Sequence, residues 1–346
     1  MQIIIREFKI IIFQIIIKIF TKIQFIKLDL IHNVYFSGLL NVPIKSNNIF
    51  IKTNEMFKYS LLTKRQLTGE LYFKEKEKTK NKLEKNVNLY GNFLICPNSS
   101  NYIICLTFFL SIISLIKEIE EKKITLLIDK KIFRLYKKDI GSLFKLFNFK
   151  NYQLYNISQK NIYYFQKAFF LKKKSLILDK PNLNFLYHAK LGADLTKKKI
   201  KVLNTKKKTS IRNFFIPRNS AKRRVLVNQK EIKLFFKNYN IKTIDTENLK
   251  IEKKIAIFNK CQNLFITFGA AQATIFFLPD KIKIFGLFNE VIEDLWLRGL
   301  AIVKDAKLVV IRGKNLDPKD KSNNSDFYLS KLELKKELEN MINSNN

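Results

Sequence analysis

Three of the nine arginines in this chain fall within seven residues: Arg218, Arg223 and Arg224. A guanidinium donates two parallel N–H bonds to two oxygens, so this cluster is a natural clamp for a diphosphate. It follows an apolar run, residues 213–217, and precedes residues 228–238, where Ile232, Phe235 and Phe236 share one helical face and Asn228 stands at the N-cap position. A second segment of interest is Leu264-Phe265-Ile266-Thr267-Phe268-Gly269-Ala270-Ala271-Gln272-Ala273-Thr274. Small residues just past a strand let a ligand approach the backbone, and a helix starting there offers N–H groups to phosphate. Other chemistries are poorly served. Cys96, Cys105 and Cys261 show no C-x-x-C spacing, and His32 and His188 are far apart, which excludes a zinc ribbon, a disulfide framework and a His-rich metal centre. No Asp-x-Asp motif is present, so a metal-independent site without a cofactor is expected.

The elements that must position these residues are those of an α/β chain. Short apolar runs at 124–128, 152–157, 167–171, 213–217, 241–244, 264–267, 282–285 and 308–311 read as strands. Between them, residues 140–147, 228–238, 247–261, 291–300 and 329–342 read as helices, and Gly269 opens a turn into another. Residues 102–116 form an apolar run too short to span a membrane and read as a buried helix. Strands alternating with helices at this spacing predict parallel sheets covered on both faces. In such sheets ligands bind at the carboxyl ends of the strands, where both segments lie.

The chain has 346 residues and a formal net charge of +36, unevenly spread. Residues 229–346 carry 20 basic and 15 acidic residues, whereas 166–228 carry 18 and two. Such a field attracts polyanions, whether membrane headgroups, diphosphates or RNA. Lysine-rich stretches at 172–174, 197–201 and 206–208, around Pro181 and Gly192, suggest a domain boundary. The apolar N-terminus is broken by Lys9, Lys18 and Lys22, with eight residues (10–17) as its longest uncharged run. It lacks a small-residue cleavage site and reads as a basic amphipathic helix on a membrane or as a buried element of the first domain. The expected location is cytoplasmic, with peripheral contact at the inner membrane face as its extension.

Residues 213–312 resemble the C-terminal half of glycosyltransferase family 61, the group that includes capsular polysaccharide biosynthesis proteins. That family shows a strand ending in Ser-Arg and then a basic Arg-Arg-hydrophobic-Leu-Asn-Glu stretch. The counterparts are Pro217-Arg218 and Arg223-Arg224-Val225-Leu226-Val227-Asn228-Gln229. The family's Gly-x-His-Gly-Ala-Gly-Leu-x-Asn turn corresponds to Ile266-Thr267-Phe268-Gly269-Ala270-Ala271-Gln272-Ala273-Thr274, and Pro279, Lys283–Phe285 and Leu287-Phe288 follow in order. Upstream, Asn101-Tyr102-Ile103-Ile104-Cys105-Leu106 is similar to the family's Asn-Tyr-Tyr-His-Trp-Leu helix.

The resemblance implies two Rossmann-like domains in a GT-B-like arrangement. Residues 1–85 would be a basic, apolar segment, 86–195 the acceptor domain, 196–212 a basic linker and 213–346 the nucleotide-sugar domain. It implies transfer of a sugar from a nucleotide-sugar donor to a glycan or lipid-linked acceptor in surface polysaccharide biosynthesis. The donor would be held by Arg218, Arg223, Arg224, Asn228, Gly269, Ala270 and Thr274. The chain departs from the family where polar residues become Phe268, Ile104 and Phe108, while Thr274 replaces an Asn and Ser111 a Pro. A base would then come from elsewhere, for instance Asp194, Glu290 or Glu293. Two alternatives follow: a catalytically inactive member that binds a sugar or nucleotide or acts as a scaffold, and a basic RNA-binding protein using Phe214, Phe215 and Tyr163. Nucleic acid is not the expected partner, because the C-terminal half is nearly charge-balanced and carries no RNA-binding motif.

Overall fold

The computed structural model describes residues 26–37, 42–44, 85–96, 101–156, 161–173, 183–203, 212–219, 223–291, 295–317 and 325–343. The expectations for residues 1–25, 206–208 and Glu293 lie outside these. The described chain forms two compact units, drawn from residues 16–199 and 200–346.

The first unit is built on a seven-stranded sheet. Its strands are β1 (Ile26–Ser37), β2 (Val42–Ile44), β3 (Lys85–Leu89), β4 (Phe93–Ile95), β5 (Thr125–Asp129), β6 (Tyr152–Tyr155) and β7 (Asn161–Lys173). They run in the order β2-β1-β7-β4-β5-β6, with β3 also paired to β7. β7, β4, β5 and β6 are mutually parallel, whereas β1 is antiparallel to both β2 and β7. Four helices follow in the parallel part: α1 (Tyr102–Ser114), α2 (Ile116–Glu121), α3 (Lys130–Leu135) and α4 (Lys137–Leu146). Asn101 caps α1 by accepting from the Ile103 N–H at 3.1 Å, and Asp129 caps α3 by accepting from Lys131 and Ile132 at 2.8 and 3.1 Å. α1 is apolar on nearly every side because it is buried on nearly every side, from Ile103 to Ile113 with Ile104 alone half-buried.

Gly192 stands in the stretch read from sequence as a domain boundary. It lies inside the long helix α5 (Leu183–Leu203). A Cβ there would stand 1.8 Å from the Leu110 carbonyl oxygen of α1, so its missing side chain lets two helix backbones touch. Ser111 Oγ donates to the Phe185 carbonyl at 3.1 Å across the same crossing. Residues 196–203 of the expected linker complete this helix, with Thr196 and Ile200 buried between its lysines.

The second unit is a five-stranded parallel sheet of β8 (Asn213–Ile216), β9 (Lys242–Thr243), β10 (Asn263–Thr267), β11 (Lys283–Phe288) and β12 (Lys307–Arg312), in the order β12-β11-β10-β8-β9. The winding reverses between β8 and β10, as in doubly wound Rossmann-like folds. One face packs Phe215, Phe265, Phe285 and Ile311 against Ile232 and Phe236 of α6 (Gln229–Asn238) and Leu334 and Leu338 of α9 (Lys331–Asn343). On the other face the Phe214 ring meets Phe258 of α7 (Ile251–Phe258) edge-on, with centroids 5.0 Å apart. α8 (Leu295–Val303) completes the covering there, with Leu297 against Gly286. With both faces covered the strands become continuous apolar runs, and β10 is buried throughout. A short pair, β13 (Lys314–Asn315) and β14 (Phe327–Tyr328), lies beyond β12.

Two expectations change here. The helix expected at 247–261 is only α7, because Asp245 Oδ1 accepts from the Glu247 N–H at 3.0 Å and holds that segment in a turn. The helix expected after Gly269 is a 3-10 helix, Ala270–Phe277.

Candidate functional site

β8 and β10 are neighbours at the point where the winding reverses, the usual ligand position in such sheets. Arg218 lies two residues past the end of β8, and Phe268 and Gly269 directly follow β10. Arg218 Nη1 donates to the Phe268 carbonyl at 3.2 Å. A Cβ on Gly269 would come within 3.2 Å of Cδ and Nε of Arg218, and Gly269 has φ +153°. Glycine is thus needed here both for its backbone and for the guanidinium packed on it. The Arg224 guanidinium lies over the Phe268 ring, 4.3 Å from its centroid, and the Phe268 ring meets Phe288 edge-on.

The field at this edge is positive. The half-buried Arg218 has its pKa lowered, first by burial and then by the neighbouring Arg223 charge, with Glu247 acting in the opposite sense. An anion arriving here relieves that repulsion. Arg224 has φ +59°, an uncommon backbone state for a side-chain-bearing residue. It is held by a brace absent from any local sequence signal. Asp326 Oδ1 accepts from the Val225 N–H at 2.7 Å, Val225 O from the Phe327 N–H at 2.9 Å, and Phe327 O from the Val227 N–H at 2.9 Å.

Of the expected donor-binding residues, Arg218, Arg223, Arg224, Gly269 and Ala270 lie at this edge, Asn228 is tied to a distant backbone, and Thr274 is buried in the 3-10 helix that follows Gly269. Asn228 is buried and occupies the N-cap position without capping. Its amide donates to the Leu329 carbonyl at 2.9 Å and accepts from the Leu329 N–H at 3.2 Å. Thr274 is 1% exposed inside the 3-10 helix. Asn228→Ala should cost roughly 1–3 kcal/mol of stability, because it strips two buried backbone groups of their partner. Urea unfolding checks this, and nucleotide affinity should stay within twofold of wild type.

The candidate bases fare differently. Burial alone would raise the Asp194 carboxyl, but Lys197 at 2.6 Å and Lys190 at 2.9 Å outweigh it and hold the group below its usual range. It is therefore a poor proton acceptor near neutral pH. Glu290 is exposed beyond β11, where its carbonyl and that of Asn289 accept from Arg312 Nη1 at 2.9 and 3.0 Å. Phe108 is a core residue of α1, packed edge-on against Phe109, so no polar role survives at that position. A carboxylate not singled out from sequence is Asp139, 8% exposed in the first turn of α4, whose Oδ2 accepts from the Tyr102 hydroxyl at 2.6 Å. Burial, followed by the Asp139 charge, pushes the Tyr102 pKa well up. The three thiols are buried. Burial raises Cys105 and Cys261 to about 12 and Cys96 well above its ordinary value.

A separate cleft of about 570 Å³ opens at the amino ends of β8, β10 and β11, lined by Arg212, Lys260, Gln262, Lys281 and Lys283 among others. It lies at the opposite edge of the sheet from Arg218. Its four basic residues match what a lysine-rich surface provides anyway, so its volume alone does not make it the reactive site. Among the described residues no three His, Cys, Asp or Glu side chains converge as metal ligands, and no helix is long and apolar enough to cross a membrane.

No curated protein matches the chain. The family model for Glycosyltransferase 61 matches residues 104–285, more than half of the sequence. The match begins in α1 of the first unit and runs through Arg218, Arg224 and Gly269 to β11 of the second. With parallel strands covered by helices in both units and its arginines gathered where the winding reverses, this chain belongs to glycosyltransferase family 61.

Proposed function

We propose that the protein transfers a sugar from a nucleotide-sugar donor to a glycan or lipid-linked acceptor in surface polysaccharide biosynthesis. The observation that carries this reading is the convergence of Arg218 and Arg224 on Phe268 and Gly269 where the sheet reverses its winding. Family membership implies a donor and an acceptor. In the reaction the bond from the anomeric carbon to the diphosphate oxygen breaks, and the acceptor oxygen takes its place on that carbon and gives up its proton. Negative charge grows on the leaving nucleoside diphosphate. Guanidiniums already fixed at that spot stabilise it without reorganising. A GT-B enzyme would hold the donor in the unit from 200–346 and draw on the unit from 16–199 for the acceptor.

A second reading, a member that binds without catalysing, is favoured by the apolar side chains at Phe268, Ile104 and Phe108 and by the ion-paired state of Asp194. Calorimetric titration with a panel of nucleotide sugars, followed by assay for nucleoside diphosphate release with glycan and lipid-linked acceptors, separates the two. Selective binding with turnover is expected; binding without turnover for any acceptor would favour the second reading, and no binding across the panel would remove both.

A further inference from the structure

Phe268 has two cations on it. Its carbonyl accepts from Arg218 Nη1 at 3.2 Å, and its ring lies 4.3 Å from the Arg224 guanidinium carbon. These are different parts of one residue, main chain for one arginine and side chain for the other. The ring face of an aromatic residue carries negative quadrupole density, which attracts a guanidinium placed over it. Arg224 also keeps a left-handed backbone, φ +59°, fixed by the Asp326 and Phe327 bonds on either side of Val225. Backbone states of this kind persist where the surroundings over-determine them, and they concentrate at ligand clamps. Phe268 in turn is steadied by the Phe288 edge, 6.1 Å between centroids.

We infer that Phe268 is the positioning residue of the diphosphate clamp, holding the Arg224 guanidinium on its ring before any ligand arrives. The inference rests on the donor reading given above and adds to it the residue that sets the geometry. An aromatic side chain at the mouth of a phosphate site would otherwise only take up space. Here it keeps like charges gathered that would splay apart in water, so less ordering is left for the moment of binding.

The test measures UDP and inorganic pyrophosphate binding by calorimetry for wild type, F268L, F268Y, R224A and the F268L/R224A pair. Leucine keeps apolar bulk and removes the ring face, while tyrosine keeps the face. A cation–π hold of ordinary strength corresponds to a loss of about 2- to 30-fold in affinity for F268L. F268Y should restore wild-type binding. F268L should add no further loss once Arg224 is gone, which a merely structural role would not predict. Thermal melting confirms that each variant is folded. An F268L affinity equal to wild type, or an F268L penalty that persists in full on the R224A background, overturns the positioning role while leaving the donor site in place. Failure of the wild type to bind either probe overturns the donor reading and this inference with it.

Discussion

Gly192→Ala should destabilise the protein by on the order of 3 kcal/mol, the upper range for overpacking a tight core. The added methyl would stand 1.8 Å from the Leu110 carbonyl oxygen and 2.7 Å from its carbon. Both obstacles are backbone, so no rotamer change clears them and α1 must move away from α5. The bonds that Ser111 makes to Phe185 and Ser114 to His188 bridge the same pair of helices at 3.1 Å each and would lengthen with that movement. The better helix propensity of alanine offsets only about 1 kcal/mol. Gly141, in α4, supplies the control: a Cβ there meets nothing within 4 Å. Gly141→Ala should stabilise by roughly 0.5–1 kcal/mol. Urea unfolding of both variants checks the pair, and opposite signs are expected.

Arg218→Ala should weaken binding of a nucleoside diphosphate by roughly 1.5–3 kcal/mol, or about 10- to 150-fold. The side chain is half-buried, packed on Gly269 and tied to the Phe268 carbonyl, so its guanidinium is already fixed. Its removal takes away a charged donor group and exposes the space over Gly269. Arg218→Lys should recover little, because an ammonium cannot reproduce the planar fork or that packing. Calorimetry with UDP reads both variants, and unchanged affinity in Arg218→Ala would remove this residue from the site.

Much of the frame was legible before the structure. β8, β10 and β11 are short unbroken apolar runs, as strands buried on both faces must be, and the small residues after β10 mark the turn. The arginine cluster announced itself by composition in a chain where lysine supplies most of the positive charge. What was not legible depends on partners distant in sequence. Asn228 has the residue type and position of an N-cap, but the Leu329 backbone, 101 residues away, takes both ends of its amide. The Arg224 conformation rests on Asp326, also beyond any local pattern. Gly192 looked like punctuation because glycine usually breaks helices, and only the neighbouring helix explains it. β4, three residues long, is too short for periodicity to reveal. The Tyr102–Asp139 pair spans 37 residues and joins helices that follow different strands.

The most direct test of the donor site is a crystal structure of the UDP complex. The expected result is the diphosphate at the carboxyl ends of β8 and β10, within hydrogen-bond reach of the Arg218 guanidinium and beside Gly269 and Arg224. UDP seated instead in the cleft at the amino ends of the strands, against Arg212, Lys260, Lys281 and Lys283, would contradict it.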